Sequence, residues 1–578
     1  MLGKHTRLSK ILFVIIFVKV FILLVLLCLN TSDIQWRSHS HGRRAVLIND
    51  LLIDRREAPS LEERLKLIRE EMPSFPLEEL LRRPRYLTKT NCAVAPDFMN
   101  IEYHNEYWQV LHNVNFTFYF FGAYYDDRKA VPKTPLVRLL SMTNHYGKEN
   151  ELKYPVTYCQ LWYKNRPDPV IVEATDHKIV WIWGGASRRY YPTLISCPLA
   201  KSNGTQEVPE MVSLVADRCD RAKNLLRVVH ELDEESPTAK GTTEMVKSPP
   251  GKQSPKMAKK DSKQEKPLRF MVCLKAMDFP YIDMSWRLIE WLELLRLLGV
   301  DKVVFYDAQM HANMTRVLDD YKISSPGFVE VRPMSLGRGE PHSPRHFHHY
   351  ALDADGFNRI LNEMIPYNDC YYRNMYKYDY IGVFDIDEVI MPLGNVTNWN
   401  DLIKLAHRVP DYERDSSKCK DWVSFCFRNV YFPRYVERPK VYKQLPSFYY
   451  MLQHVERVAE HCDRYSATKC LHSTKYAVGL HNHFPLHRAE TGECAAKSVP
   501  IEFAQLQHYR EPDNKTRLIN PIIDDSIWRF QPKLQQRVYG KYKKLGFLPN
   551  IHDVEAAEER RIHNDEQQLR KAISITNN

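Results

Sequence analysis

No Cys-x2-Cys pair occurs anywhere in the 578 residues. Structural zinc sites are usually built on that spacing, so a zinc-held fold is set aside. Neither Gly-x-Gly-x-x-Gly nor Gly-x4-Gly-Lys-Ser/Thr precedes a helical stretch, so the two common nucleotide-phosphate loops are missing too. The formal charge of +11 is modest for this length and argues against nucleic acid as a partner. Twelve cysteines are too few for a small disulfide scaffold but enough for several bridges in a large secretory domain. After the first long apolar run, no second run of 18 residues follows. What is present is a 44% hydrophobic fraction with 12% aromatics, ample for packed cores in more than one domain.

The apolar run extends from Ile11 to Leu29 and is interrupted only by Lys19. At about 1.5 Å per residue it covers roughly 28 Å, close to the hydrocarbon thickness of a bilayer. It exceeds the apolar core of a signal peptide, and Leu27-Cys28-Leu29-Asn30 is a poor cleavage site. The reading is an N-terminal transmembrane helix acting as an uncleaved signal anchor (11–29) after a cytosolic tail (1–10), with a cleaved signal peptide as the rival. Basic residues flank both ends (Lys4, Arg7 and Lys10 before, Arg37, Arg43 and Arg44 after), so orientation rests on the short tail. Glycosylation acceptor triplets at Asn115, Asn203, Asn313, Asn395 and Asn514 agree with a luminal, single-pass type II ectodomain. That ectodomain holds eleven cysteines, an odd number that leaves a free thiol or an intermolecular bridge.

Residues 30–85 are polar, broken by prolines, and read as a stem with a short helix from Leu61 to Met72. Residues 86–232 read as a β-rich, sandwich-like accessory domain, with aromatic and β-branched runs such as Phe116–Phe121, Val156–Tyr163 and Lys178–Trp183. Trp162, Trp181 and Trp183 are either core residues or, if exposed, carbohydrate contacts. Residues 233–267 contain eight lysines and five prolines and too little apolar area to order themselves, so they read as a linker. From 268 strands alternate with helices, which implies a parallel α/β sheet. Strands are expected at 268–274, 302–307 and 328–331, and helices at 283–298, ended by Gly299, and at 312–321. More helix is expected over 356–378, interrupted or kinked near Pro366.

The strand 381–384 then delivers Asp385-Ile-Asp387-Glu388. Ligands of open parallel sheets bind at that carboxyl edge. In a continuing strand Asp385 and Asp387 would share one face, where two oxygens suit a hard divalent ion shared with a diphosphate. Two chemistries use this pattern. One is nucleotide-sugar transfer. The other is the haloacid-dehalogenase type of phosphatase, with Asp385 as nucleophile, but that motif usually opens its domain, and here three strand–helix units precede it. A non-catalytic glycan-binding protein is the third reading.

Residues 269–515 resemble glycosyltransferase family 92. The similarity lies in Lys275-Ala-Met-Asp-Phe, Trp286, Glu290-Trp291, Leu298-Gly299-Val300, Val304-Phe-Tyr-Asp307, Asn368-Asp-Cys370, Phe384-Asp-Ile-Asp-Glu-Val-Ile, Gly479-Leu-His481-Asn and His508-Tyr-Arg510. The resemblance implies a GT-A type fold with a Rossmann-like mixed sheet, a catalytic domain over 268–515 and a helical tail over 516–578. It further implies a UDP-galactose donor, Mn²⁺, and an inverting β-1,4 transfer to a glycan or glycoprotein acceptor such as the core fucose of N-glycans. A Golgi membrane location follows from the same likeness, and the stem and span of such an enzyme can mediate a homodimer. Asp385, Asp387 and, by positional likeness, His508 are the expected metal ligands, with His481 as second choice for the histidine. His483 and His487 are acceptor contacts or structural histidines. Lys275 and Asp307, at the ends of the first two strands, are candidates for nucleotide contacts or for plain ion pairs, and Glu388 for support of the metal site. An inverting transfer needs a general base. Motif logic does not locate it, and Glu460 and Asp463 are candidates only because their segment is polar.

Overall fold

The computed structural model of the protein describes residues 59–83, 92–147, 153–186, 188–201, 206–232, 266–337, 345–410, 419, 421–433, 445–446, 448–518 and 520–548. The expected anchor, the cytosolic tail, most of the stem and linker, and Asn203 lie outside them. Among the described residues no helix is long and apolar enough to cross a membrane.

Two short helices come first, α1 (Leu61–Glu71) and α2 (Leu77–Arg82). Part of the segment read as stem is docked: Phe75 packs with Ile101, Trp162, Met211 and Leu225, and its carbonyl accepts from the Arg227 guanidinium at 3.0 Å. Nine strands follow: β1 (Gln109–Asn113), β2 (Phe116–Asp126), β3 (Leu136–Thr143), β4 (Tyr158–Trp162), β5 (Val170–Glu173), β6 (Thr175–Ile179), β7 (Tyr191–Pro198), β8 (Met211–Val215) and β9 (Leu226–Val229). They form one hydrogen-bonded path, β5-β4-β8-β9-β2-β3-β7-β6, with β1 on β2. Strand β2 runs to Tyr125 and Asp126.

The disulfide Cys159–Cys197 joins β4 to β7 with a Cα separation of 6.0 Å. These strands stand five places apart in the path. In a flat sheet that would be about 24 Å, so the sheet folds over on itself around an apolar filling that includes Phe118, Phe120, Leu139, Leu161 and Leu214. The alternate residues of β2, Tyr119, Phe121 and Tyr124, face a second core that contains a long helix of the following domain. Because β2 is covered on both faces, it reads as a continuous apolar run. A bulge between Phe120 and Gly122 switches which parity faces which core. At Gly122 a side chain would collide with the Tyr124 hydroxyl oxygen, so glycine lets that tyrosine cross to the next domain.

The second half of the chain runs β10 (Phe270–Phe279), α3 (Ser285–Leu298), β11 (Lys302–Met310), α4 (Ala312–Ser324), β12 (Val329–Pro333), α5 (Arg345–Ala354), α6 (Gly356–Asn374), β13 (Tyr380–Phe384), β14 (Glu388–Pro392) and α7 (Trp399–Arg408). It continues with β15 (Ser424–Phe427), β16 (Asn429–Tyr431), β17 (Glu456–Arg457), β18 (Lys469–Ser473), β19 (Ala477–Leu480), β20 (Pro485–Arg488), β21 (Lys497–Ser498), β22 (Ala504–His508), β23 (Ile522–Ile523) and α8 (Gln531–Leu545). The main sheet is mixed, in the order β12-β11-β10-β13-β18-β15-β21. Its first four strands are parallel, and β18 runs antiparallel to β13 and β15. Residues of α3, α4, α7 and α8 share one core with the sheet, while α6 shares the other with the β-rich domain. Helix α3 ends, as its sequence predicts, at Gly299 in the left-handed region (φ 92°). Helix α6 runs through Pro366 instead of breaking there, and Cys370 ties it to β10 through Cys273.

The other bridges are Cys92–Cys219, Cys419–Cys494 and Cys426–Cys470. The odd thiol is Cys462, which is buried and so is not placed to bridge to another chain.

One buried histidine makes the fold sensitive to acid. His472 lies within β18, its Nδ1 paired with the Ser424 hydroxyl at 2.7 Å, and burial pushes its pKa down to about 3. The unfolded chain takes that proton near pH 6.5 and the folded chain does not. Stability from neutral His472 is therefore complete above pH 6.5 and lost as the pH falls from there toward 3, by about 1.4 kcal/mol per pH unit. Urea unfolding of the wild type between pH 6.5 and 4 is expected to show at least that slope, since His508, His481 and His483 are lowered too, and His472→Asn to lack this share of it. Equal slopes would refute the assignment.

Candidate active site

Strand β13 is apolar and buried throughout, and its last residue, Phe384, pairs with Leu274 of β10. The strand does not continue past it. The Glu388 amide donates to the Asp385 carbonyl at 3.1 Å, and the Asp385 amide donates back to the Glu388 carboxylate at 3.0 Å. Asp385–Glu388 is thus a closed turn rather than the extended strand expected. The carboxylates are brought together by the turn, not by strand alternation. From Glu388 the chain enters a different sheet, β14-β22-β16, in which Glu388 is directly opposite His508.

That register sets the histidine among the acids. His508 Nε2 is 3.8 Å from Asp387 Oδ2, and its Nδ1 is 3.8 Å from Glu388 Oε1. The ring stacks on Tyr431 with centroids 5.3 Å apart. On the other side Lys275 approaches Asp385 at 3.0 Å and Glu363 of α6 at 3.3 Å. Lys469, the first residue of β18, stands 3.2 Å from Glu388 and 3.9 Å from Asp385. Four carboxylates therefore share two ammonium groups and one imidazole.

Electrostatics differentiate these acids. Burial opposes the charge on Asp385, but Lys275 and Lys469 more than offset it and hold that carboxyl below its ordinary range. Asp387 is raised, by burial first and then by Asp385 and Glu388, against the pull of His508. Burial likewise raises Glu388 to about 7 and lowers His508 to about 4, keeping the imidazole neutral. Asp387 and neutral His508 are thus the pair with least compensation from cations.

The pair is backed by α3. Trp291 Nε1 donates to the Glu388 carbonyl at 2.8 Å. Glu290 accepts the amides of Tyr450, Met451 and Leu452 at 2.6, 3.0 and 2.9 Å. The Tyr450 hydroxyl donates to the Tyr509 carbonyl at 2.7 Å, and the Tyr509 amide donates to the Asp387 carbonyl at 2.8 Å. The Glu290-Trp291 pair thus supports the Asp387-Glu388 end of the acidic turn.

Lys275, Asp385, Asp387, Glu388 and His508 are brought together. Lys275 is an ion-paired residue within a strand, not at its end, because β10 continues to Phe279. Likewise β11 continues past Asp307, whose carboxylate accepts the Met310 amide at 3.1 Å. Glu460 and Asp463 are exposed on a loop, and among the described residues no hydrogen bond or ion pair joins either to the acidic cluster. His487 donates from Nε2 to the Ile179 carbonyl at 2.8 Å, a structural tie to β6. His483 Nδ1 donates to the Thr468 carbonyl at 2.9 Å. His481 is buried against Phe484. Of the glycosylation triplets, Asn115, Asn395 and Asn514 are exposed, whereas the half-buried Asn313 donates its amide to Asp283 at 2.6 Å. Sequence reasoning missed Lys469 and Glu363. A lysine opening the otherwise apolar strand Lys469-Cys-Leu was the available signal for the first.

Among the described residues no group of three or more His, Cys, Asp or Glu is already arranged as a metal shell. Two ligands of one small divalent ion, each about 2.1 Å from it, stand at most about 4.2 Å apart. The 3.8 Å between Asp387 and His508 meets that limit, and oxygen with imidazole is a suitable donor set for a first-row ion.

Residues 269–545 match the model of Glycosyltransferase family 92. The match supports a transferase that binds a sugar donor and an acceptor. It covers the acidic turn, Lys469 and His508, and it runs through α8, whose Leu534, Val538 and Tyr542 join the core of the sheet. No curated protein matches the chain.

Proposed function

We propose that the protein is an inverting β-1,4-galactosyltransferase of the GT-A type, anchored in the Golgi membrane with its catalytic domain in the lumen. It would move galactose from UDP-galactose to a glycan acceptor such as N-glycan core fucose. The observation that carries this reading is the pairing of Asp387 with neutral His508 at the carboxyl edge of β13, inside the segment that matches the family.

Asp387 and His508 would hold Mn²⁺, with Asp385 nearby, and the ion would neutralise charge on the departing diphosphate. The protein's own part is positional. Lys275 and Lys469 fix Asp385 and Glu388, and Glu290 and Trp291 fix the turn that carries Asp387. In the transfer the anomeric carbon–oxygen bond to UDP breaks, the acceptor oxygen bonds to that carbon from the opposite face, and the acceptor proton passes to a base.

The test uses the secreted ectodomain from Pro59, which keeps the docked Phe75. UDP release is followed with a panel of UDP-sugars on a fucosylated N-glycan, with and without Mn²⁺. Release with UDP-galactose that depends on Mn²⁺ is expected. A folded protein silent with every donor would overturn the transferase reading, and turnover indifferent to chelator would overturn the metal.

A further inference from the structure

The acidic cluster suits a charged diphosphate; an acceptor sugar is neutral and needs other contacts. One surface of a different character lies where the β-rich domain meets the loop 481–483. Of the three tryptophans in question, Trp162 and Trp181 are core residues, but Trp183 is 46% exposed. Single exposed aromatics are common and by themselves mean little. This one is held in place. Trp181 Nε1 donates to the Gly184 carbonyl at 2.8 Å, closing the turn that carries Trp183. The Trp183 ring meets Trp181 edge-on at 5.1 Å and His481 at 4.6 Å, with His483 at 5.8 Å.

A second observation lies beside it. His481 has no exposed surface, and neither of its ring nitrogens has a hydrogen-bond partner among the described residues. The ring is packed between Trp183 and Phe484, so it backs the indole from the protein side. The same loop reaches the reaction site: Asn482, between the two histidines, accepts from Lys469, the lysine that contacts Glu388 and Asp385. Trp183 is thus joined through one three-residue loop to the carboxylates.

We propose that Trp183, contributed by the β-rich domain, is the acceptor platform of the transferase: a pyranose of the acceptor glycan stacks its apolar face on the indole, with its hydroxyls toward the half-buried His483. The proposal rests on the transferase reading above. Pyranoses carry C–H groups on one face and hydroxyls at the rim, which matches a fixed aromatic ring beside imidazole nitrogens. A platform held rigid before binding loses little freedom when the sugar arrives, and it would fix the acceptor hydroxyl relative to the donor.

The experiment compares the full-length protein in detergent with Trp183→Ala and Trp183→Phe, using a fucosylated biantennary N-glycan as probe. Two readouts are taken: initial rates of galactose transfer, and glycan binding by saturation-transfer NMR. Trp183→Ala is expected to raise the KM for the glycan at least about 10-fold, leave the KM for the UDP-sugar within about 2-fold, and lose the NMR signal. Trp183→Phe, which keeps a ring, should recover most of both. An unchanged glycan KM, or equal rises in both KM values, would overturn the platform. If the wild type transfers nothing, the transferase reading fails by itself, and NMR decides the platform separately. Glycan binding lost in Trp183→Ala would support it, and binding retained in the variant or absent from the wild type would overturn it.

Discussion

Asp387→Asn is expected to lower sugar transfer by at least about 100-fold while leaving the fold as stable as before, or slightly more so. The magnitude is that of removing one group aimed at charge developing in a transition state. The stability follows from local charge. Asp387 carries a pKa raised by burial and by its acidic neighbours, so its carboxylate is an unfavourable charge in the folded protein. A neutral amide of the same shape relieves that repulsion. Asp385→Asn should behave differently. Asp385 is the carboxylate that Lys275 and Lys469 share, and Lys469 is almost wholly buried. Its neutralisation leaves Glu363 and Glu388 as the only carboxylates described beside those lysines, and should cost about 1–3 kcal/mol of stability as well as activity. Parallel thermal melts and UDP-release assays on the two variants check both statements. Unimpaired turnover by Asp387→Asn would end the metal assignment, and equal stability losses would end the division of roles between the two aspartates.

The same contrast explains which parts of the site could be read from the sequence. The acidic turn was visible because strand and carboxylates are contiguous, and a buried apolar run ending in acids is a local signal. Its geometry was not, because the bond from the Glu388 amide to Asp385 closes a turn where alternation alone predicts a strand. Glu363 was hidden for another reason. It lies on a helix whose apolar spacing is ordinary, and only the packing of α6 under β10 brings it to Lys275. Glu460 and Asp463 were suggested by polarity, which marks solvent as readily as a site, and solvent is where they are. Trp181 and Trp183 show the limit of periodicity itself. Two residues apart in a strand they would share a face, but β6 ends at Ile179, and the turn beyond buries one and presents the other.

The fragment beginning at Lys266, which contains every residue of the acidic cluster, is expected not to fold by itself. The β-rich domain supplies part of its interior. Arg128 of that domain is buried and donates to the Tyr371 hydroxyl at 2.8 Å and to the carbonyls of Thr474 and Ala477, both at 2.7 Å. Its own charge is met by Asp126, which also pairs with Arg138 at 3.0 Å. The Tyr124 hydroxyl donates to Asp369 of α6. Around these bonds Tyr119, Phe121, Leu140 and Met142 share one apolar core with Leu361, Met364, Ile365 and Tyr372. Removing the domain would expose that face of α6 and the disulfide-tied strand behind it, at about 25 cal/mol per Å² of apolar surface. It would also withdraw donors from buried carbonyls. Expressed alone, residues 266–578 should give no cooperative melt and no UDP release, whereas the ectodomain from Pro59 should melt in one transition. Within the ectodomain, Arg128→Ala should cost about 3–5 kcal/mol in urea unfolding, because it strips a partner from buried Asp126 and donors from the catalytic half in one step. A soluble 266–578 fragment with a sharp melt would show that the β-rich domain is an appendage. Failure of the fragment with success of the ectodomain would show that the catalytic half is completed by the domain that also presents Trp183, so acceptor binding and folding would depend on one interface.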